Sequence, residues 1–210
     1  QSSVSLSFEQ PIGTLEFNII SVANTLEAIK VVNPTIKYYQ ASSSEMFGKV
    51  KKENLPVKED FVFYPVSPYG ISKAAAHWIV VNNREAYNLF AVCGILFNHE
   101  SVLRGSSFVT KKIVNTAVKI KMGLLNKLEL GNLKIYRDWG YTQKYVEAMW
   151  LMLQQELPKD YIICSGEAHS LEEFVQKVWA LNSLYQLKDL TTPLHPKILS
   201  RCDGQPSHRK

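Results

Sequence analysis

A tyrosine and a lysine, Tyr69 and Lys73, stand four residues apart at the start of a predicted helix. Ser67 is suited to cap this helix, and Pro68 to occupy its first position. Because an α-helix repeats about every 3.6 residues, the two side chains share one face, one turn apart. A protonated lysine stabilises a phenolate, so the pair suits the proton transfer that accompanies alcohol–ketone interconversion by hydride transfer. The spacing alone also fits an ordinary surface pair.

A serine-rich segment with one carboxylate follows the first predicted strand. Residues 36–41 are rich in β-branched and aromatic side chains, as in a buried strand, and they lead directly towards Ser43 and Glu45. In open α/β sheets, ligands bind just beyond the carboxyl ends of the strands, where we expect these two side chains to lie. The alternative is a serine-rich turn followed by a solvated glutamate.

A second predicted strand, residues 90–97, is almost continuously apolar, which is typical of a parallel strand covered on both faces. Asn98 and His99 follow its carboxyl end, although His99 can equally be a capped or core histidine. Further patterns predict helices over 15–32, 109–122, 142–156 and 170–181, a strand over 161–164 and a loop over 191–196. The last of these helices begins with a capping box at Ser170.

Five motifs of the chain occur in an order known from one family. They are Ser43-Ser44-Glu45-Met46-Phe47-Gly48, Tyr69 with Lys73, Phe97-Asn98-His99-Glu100-Ser101, Phe108-Val109-Thr110-Lys111-Lys112-Ile113 and Arg137-Asp138-Trp139-Gly140. In these motifs the chain resembles the GDP-mannose 4,6-dehydratases of the extended short-chain dehydrogenase/reductase superfamily, from residue 1 to about residue 181. A fainter similarity extends to Gly204-Gln205-Pro206-Ser207.

The resemblance implies a catalytic role for four residues. Ser43 matches the family's catalytic threonine and keeps the hydroxyl that hydrogen-bonds the sugar's C4 oxygen, while Glu45 matches the base that removes the C5 proton. Tyr69 matches the base that takes the C4 hydroxyl proton as hydride passes to NADP, and Lys73 matches its cofactor-binding partner. Together these residues would convert GDP-mannose to a 4-keto-6-deoxy sugar nucleotide, with the hydride returned to C6.

The resemblance also implies binding residues outside this group. Besides Tyr69 and Lys73, cofactor contacts are implied at Gln1, Ser2, His99 and Arg104. Substrate contacts are implied at Asn98, Lys112 and Arg137, where arginine and lysine suit a diphosphate. Departures from the family pattern fall at Gly13, Leu103, Ser106 and residues 141–144.

The implied fold is α/β, a partial doubly wound parallel (Rossmann-like) sheet with part of a smaller C-terminal substrate-binding domain. Residues 1–105 would form the C-terminal half of the NADP-binding domain, to which later segments can return. Residues 106–210 would form mainly the substrate-binding domain, incomplete at its end. We expect the full-length protein to be a homo-oligomer.

The chain lacks a glycine-rich loop for the cofactor's pyrophosphate. Its 10 glycines are never closer than eight positions apart, so no Gly-x-Gly-x-x-Gly turn exists. We therefore interpret the chain as a fragment that is inactive by itself. The alternatives are a decayed, non-catalytic paralogue that serves as an interaction module, and another NDP-sugar dehydratase or reductase.

Composition excludes several other classes of protein. The chain has 210 residues, 46% hydrophobic and 20% charged, as expected of a globular protein. Apolar stretches are too short to span a membrane, and the formal charge of +5 comes from basic residues interspersed with acids, which argues against nucleic-acid binding. Three dispersed cysteines, Cys93, Cys164 and Cys202, predict no metal site and a cytoplasmic location.

Overall fold

The structure, a computed structural model, describes residues 1–184 and 199–201. The predicted loop over 191–196 lies outside the described residues. The helices are α1 (Val4–Glu9), α2 (Pro11–Leu15), α3 (Ser21–Val32), α4 (Pro68–Tyr87), α5 (Val109–Lys121), α6 (Thr142–Leu153) and α7 (Leu171–Leu184). The strands are β1 (Tyr38–Ser43), β2 (Ala91–Leu96), β3 (Asn98–Glu100), β4 (Leu128–Leu130), β5 (Tyr136–Tyr141), β6 (Tyr161–Ile163), β7 (Ala168–Ser170) and β8 (Leu199–Arg201).

The chain forms two compact units. The first combines residues 1–99 with residues 140–165, and the second combines residues 100–139 with residues 166–184 and 199–201. The chain therefore leaves the first unit after β2 and returns to it with α6 and β6. The assignment of cofactor and substrate binding to separate domains remains a prediction.

The first unit is built on a parallel sheet in the order β1-β2-β6. Tyr38 lies opposite Ala91 and Ser43 opposite Leu96, so β1 and β2 end side by side. All six residues of β2 are buried, which accounts for its continuously apolar sequence. Helix α4 connects β1 to β2, as the parallel pairing requires.

Two helices pack on the strands through one apolar cluster. In α3, Val22, Leu26 and Ile29 are buried at the spacing of a single helical face, and they join Val80 of α4 and Ala91 of β2. Helix α3 ends before Asn33, as the following proline predicts. The predicted helix over 15–32 differs from the structure in its first part, where Glu16–Ile20 forms a π-helical turn after α2.

The second unit has its own core. Ile113 of α5 packs with Leu128 and Leu130 of β4 and with Leu171 and Val175 of α7. Strand β5 pairs antiparallel with β7, and β4 pairs parallel with β8. At the start of α7 the backbone N–H of Glu173 donates to Ser170 Oγ over 3.1 Å, which is the serine half of the predicted capping box. The Glu173 carboxylate lies 3.2 Å from His169 Nδ1. Among the described residues, every helix is too short or too polar to cross a bilayer.

Candidate active site

The start of α4 presents the tyrosine and the lysine as the sequence predicts. Ser67 caps the helix, because its Oγ accepts a hydrogen bond from the backbone N–H of Gly70 over 3.0 Å. Pro68 occupies the first helical position. Tyr69 is buried, and Lys73 Nζ lies 5.7 Å from the centre of the Tyr69 ring. The pair therefore lies on one helix face, one turn apart.

Lys73 sits in an environment that weakens its hold on its proton. The side chain is half-buried, and its Nζ donates a hydrogen bond to the backbone carbonyl of Ala41 in β1 over 3.0 Å. Burial lowers the pKa of the Lys73 ammonium from its ordinary value. An ammonium with a neutral carbonyl partner keeps its full charge for a neighbouring phenolate. The arrangement is thus suited to support deprotonation of Tyr69.

Ser43 and Glu45 lie where β1 ends. Ser43 is the last residue of the strand, and a 3₁₀ turn, Ser44–Met46, follows it. The backbone N–H of Glu45 donates to Ser43 Oγ over 3.2 Å, so the serine caps the turn that carries the glutamate. Ser43 is buried and Glu45 is half-buried. A hydroxyl-bearing and a carboxylate-bearing residue therefore both lie at the carboxyl end of a parallel strand, as expected of a ligand site.

A close backbone approach joins this turn to the start of α4. A Cβ atom added to Gly70 would lie only 2.8 Å from the backbone carbonyl oxygen of Glu45. Only glycine leaves room for that approach. Because Gly70 directly follows Tyr69 in the chain, the backbones of Glu45 and Tyr69 are neighbours. The structure thus brings Ser43, Glu45, Tyr69 and Lys73 to one end of the sheet.

Asn18 belongs to the same region, although none of the sequence motifs includes it. It is 6% exposed and lies in the π-helical turn before α3. Its Nδ2 donates to Ser72 Oγ over 2.9 Å, and Ser72 Oγ donates to the backbone carbonyl of Tyr69 over 2.7 Å. Its Oδ1 accepts from the amino group of Gln1 over 3.0 Å. A side-chain bridge therefore connects Gln1 to the helix of Tyr69, whereas the neighbouring Ser2 is exposed.

A sequence signal for Asn18 does exist. The residue stands four positions before Val22 and eight before Leu26, so it extends the buried face of α3 by one more turn. A polar side chain on a buried face needs a hydrogen-bond partner. π-Helical turns occur frequently at functional sites.

His99 follows β2 and is held in two ways. Its Nδ1 lies 2.9 Å from the backbone carbonyl oxygen of Phe97, to which the ring N–H donates. Its ring stacks on Tyr145 of α6 with 4.8 Å between the ring centroids and 28° between the planes. Asn98, the preceding residue, is half-buried. Both residues follow the carboxyl end of β2. This strand pairs with β1, whose last residue is Ser43.

Three predicted binding residues belong to the second unit. Arg104 precedes α5, where its Nε lies 3.2 Å from Glu100 Oε2 and its guanidinium carbon 3.5 Å from the centre of the Phe108 ring. Lys112 of α5 is exposed and donates to the backbone carbonyl of Glu129 over 2.8 Å. Arg137 of β5 is exposed and donates to the backbone carbonyl of Tyr136 over 2.9 Å. These three cations stand on separate elements of their unit.

A buried polar cluster lies at the opposite ends of β2 and β6. Arg84 Nη1 and Nη2 donate to the two carboxylate oxygens of Asp160 over 2.7 and 2.9 Å, and the backbone N–H of Cys93 donates to Asp160 Oδ1 over 2.9 Å. Potential metal-ligand atoms of His77, Cys93 and Asp160 lie within 4.8 Å of one another. Their spacing along the chain did not predict this grouping. The carboxylate is already bound by a guanidinium, and the absence of a metal stays a prediction.

Comparison with known proteins identifies the family. A family model described as GDP-mannose 4,6 dehydratase matches residues 1–191. The chain is also 53% identical, over 180 residues, to the GDP-mannose 4,6 dehydratase of Cricetulus griseus, a match that covers 84% of this chain and 48% of that relative. The chain belongs to the GDP-mannose 4,6-dehydratase family. The resemblance inferred from the five motifs is thereby confirmed.

A bacterial relative in the GDP-mannose 4,6-dehydratase family gives the same result. The chain is 44% identical over 186 residues to the GDP-mannose 4,6-dehydratase of Vibrio cholerae, covering 88% of this chain and 49% of the relative. The chain thus spans about half the length of the curated relatives it matches.

Solved structures confirm the predicted fold class. RMD from Pseudomonas aeruginosa, solved in complex with NADPH, is similar with a TM-score of 0.83 at 26% identity, over 87% of this chain and 63% of that chain. The dTDP-glucose 4,6-dehydratase of Bacillus anthracis, solved with NAD, has a TM-score of 0.78 at 23% identity, over 97% of this chain and 59% of that chain. The second likeness shows the fold alone. Both support an α/β, Rossmann-like architecture with a partial parallel sheet.

Two departures from the GDP-mannose 4,6-dehydratase pattern fall at open positions. The resemblance puts a cofactor-contacting tyrosine at Gly13, where a Cβ atom would meet nothing within 4 Å. It puts an arginine at Leu103, whose side chain is almost fully exposed. Neither position is closely packed.

Proposed function

We propose that the chain carries the catalytic half of an NADP-dependent GDP-mannose 4,6-dehydratase that works in the cytoplasm. The observation that carries this proposal is the approach of the Glu45 backbone to Gly70, which sets the turn of Ser43 and Glu45 against the helix start of Tyr69 and Lys73. Family membership supports it independently.

The four residues have complementary tasks on one hexose. Bound NADP would supply the hydride acceptor for C4 and the hydride donor for C6. Tyr69 takes the proton of the C4 hydroxyl, and the Lys73 ammonium stabilises the phenolate. Ser43 hydrogen-bonds the C4 oxygen, which becomes a ketone. The ketone acidifies the C5 proton, so Glu45 can take it and pass a proton to the departing C6 hydroxyl, which leaves as water.

Other residues of the chain would bind the two nucleotides. We propose that Gln1, Ser2, His99 and Arg104 join Tyr69 and Lys73 in contacting NADP. Asn98, Lys112 and Arg137 would contact GDP-mannose. The lysine and the arginine supply cations for its diphosphate, since an arginine fork suits two phosphate oxygens and an ammonium acts as a point charge.

The cofactor would be held weakly by this chain alone. The residues beside the reacting ring are present, but no two of the 10 glycines stand close enough in the sequence to form the turn that receives a pyrophosphate. We therefore propose that turnover needs the segments that the relatives have outside the match. A chimaera that supplies those segments from the Cricetulus griseus relative is the appropriate enzyme for tests.

The decisive experiment measures the two half-reactions of that chimaera with GDP-mannose and NADP. We expect a 4-keto-6-deoxy product. Glu45→Gln should impair water loss more severely than C4 oxidation. Exchange of the C5 proton with solvent monitors water loss, and NADPH absorbance monitors C4 oxidation. Glu53→Gln, on an exposed side chain in the next loop, is the matched control and should change neither. An equal loss of both half-reactions in Glu45→Gln would refute the base role.

Substrate choice separates the proposal from its nearest rival. Another NDP-sugar dehydratase or reductase would use the same residues on a different nucleotide sugar. Turnover of the folded chimaera with UDP-glucose or dTDP-glucose, and none with GDP-mannose, would establish the rival. A folded chimaera that binds NADPH but turns over none of the three would favour the non-catalytic module.

We also propose that the enzyme is a homo-oligomer. Large apolar side chains are exposed on the helices of the first unit, notably Ile12, Phe17, Ile20 and Trp78. Such surfaces suit a second copy of the chain. Light scattering of the chimaera should give a multiple of the protomer mass, and Trp78→Lys should lower it.

A further inference from the structure

Tyr145 is a neighbour of His99, which is proposed to contact the cofactor. It is 3% exposed and belongs to the first turn of α6, and its ring stacks on the ring of His99. Neither the motifs nor the resemblance assigned Tyr145 a role. All of its neighbours in this argument, Phe97, His99 and Gly140, belong to the first unit.

The imidazole of His99 is constrained in two independent directions. The hydrogen bond from Nδ1 to the Phe97 carbonyl acts in the plane of the ring and sets which nitrogen carries the proton. The stack on Tyr145 acts on the face of the ring and limits its tilt. Together they leave Nε2 as the nitrogen that can meet a ligand, with a defined direction.

Gly140 in turn decides where the Tyr145 ring can lie. A Cβ atom at position 140 would stand 2.2 Å from Tyr145 Cε2 and 2.7 Å from its hydroxyl oxygen. Any side chain at this position would therefore push the ring away. The glycine that closes the Arg137-Asp138-Trp139-Gly140 motif is needed here for space, since its backbone φ is not in the left-handed region.

From these contacts we propose that Tyr145, seated on Gly140, is a positioning residue that holds the His99 ring at the angle at which Nε2 meets the nicotinamide dinucleotide. The inference rests on the proposed function in one respect, the cofactor contact of His99. It assigns Tyr145 and Gly140 no contact with the cofactor itself.

The first test uses the 210-residue chain and needs no activity. An aromatic ring stacked on an imidazole shifts the imidazole protons upfield in an NMR spectrum. We expect the His99 ring protons, assigned with His99→Gln, to keep this shift in Tyr145→Phe and to lose it in Tyr145→Leu and Gly140→Ala. Unchanged His99 shifts in Tyr145→Leu would overturn the proposal.

The second test measures NADPH affinity of the chimaera from nicotinamide fluorescence. Tyr145→Leu and Gly140→Ala should each raise the Kd about tenfold, the lower end of the effect that partners of metal-binding histidines have on metal affinity. Tyr145→Phe should stay within about twofold of the parent, because the ring face is retained. Gly140→Ala supplies the test if Tyr145→Leu does not fold. A Kd unchanged in a folded variant that has lost the stack would limit Tyr145 to a structural role and overturn the proposal.

A double-variant cycle separates the two proposals. If Tyr145 acts through His99, adding Tyr145→Leu to His99→Gln should raise the Kd no further, whereas additive effects would contradict the inference. A His99→Gln protein with unchanged affinity would refute both the cofactor contact and the positioning role. The expected Kd pattern without any turnover would support the positioning role and count against the proposed activity.

Discussion

The two ends of the parallel sheet in the first unit differ in the hydrogen-bond partner that they give to a buried charge. At the amino ends of β2 and β6, Arg84 and Asp160 form a two-pronged ion pair, and each is only 16% exposed. At the carboxyl end of β1, the half-buried ammonium of Lys73 has a neutral carbonyl as its hydrogen-bond partner. At the amino ends a buried cation is paired with a buried anion. At the carboxyl end the ammonium is hydrogen-bonded to a neutral group and can stabilise a phenolate when one forms.

The pKa values of the two ends express this difference. Burial raises the pKa of the Asp160 carboxyl, but Arg84, the backbone N–H of Cys93 and the neighbouring His77 together hold this pKa below its ordinary value. At the other end, burial lowers the pKa of the Lys73 ammonium. A charge stabilised by its partner contributes to folding, whereas a charge destabilised by burial is typical of catalytic sites. Stability and reactivity are thus separated along the strands.

The largest expected effect concerns the reactive end. Tyr69→Phe removes the phenol that exchanges the C4 proton and should lower turnover of the chimaera by about 10²–10⁴-fold, the usual contribution of general acid–base catalysis. The melting temperature should hardly change. Tyr87→Phe, at the exposed end of the same helix, is the control and should keep full turnover. Normal turnover of Tyr69→Phe would show that this end of the sheet is not the reactive one.

The ion pair at the other end should govern stability. Asp160→Asn leaves the Arg84 guanidinium without its anion and should lower the free energy of unfolding by about 3 kcal/mol at pH 7, measured with urea. The folded-state pKa of Asp160 is depressed, so its contribution is complete above its ordinary pKa of about 3.9 and is lost as pH falls through the lower folded value.

The deficit of Asp160→Asn should consequently shrink in acid. Glu147→Gln, which breaks the exposed pair with Lys144, is the control and should cost less than about 0.5 kcal/mol. A deficit of the same size for both variants would show that the buried pair is no more important than a surface pair.

Gly70 tests whether the reactive end depends on the backbone approach. Gly70→Ala places a Cβ against the Glu45 carbonyl and should displace the turn of Ser43 and Glu45, lowering turnover by about 10²-fold. Gly131→Ala is the control, since a Cβ there meets nothing within 4 Å and its φ is ordinary. Equal turnover of Gly70→Ala and Gly131→Ala would show that catalysis does not depend on the close approach of the Glu45 backbone to residue 70.

The last variant should change stability only slightly, and in the direction opposite to Asp160→Asn. Lys73→Met removes a destabilised charge and should raise the free energy of unfolding by about 0.5–1 kcal/mol while abolishing turnover. In the parent chain, stability should rise with pH between the lowered folded-state pKa of Lys73 and its ordinary value, because the unfolded state then holds more protons. Urea unfolding across this range should show that the variant lacks the rise.

Much of the local structure could be predicted because it depends on neighbouring residues. The cap at Ser67, the proline that opens α4 and the cap at Ser170 act within one helical turn. The buried strand β2 was evident from its unbroken apolar run. The π-helical turn before α3 was missed, because its distortion accompanies the long-range bridge of Asn18 and has no pattern of its own.

The amino-acid sequence by itself determined the elements, the tyrosine–lysine pair, the strand-end serine and glutamate, and through their order the family. The tertiary structure alone decided which distant groups meet: Glu45 with Gly70, Arg84 with Asp160, and His99 with Tyr145. The difference comes from the distance along the chain between the residues that interact. Helix caps and strand patterns are set by residues a few positions apart, whereas these pairings span 25, 76 and 46 positions and depend on strand register and on which residue is small enough to permit contact.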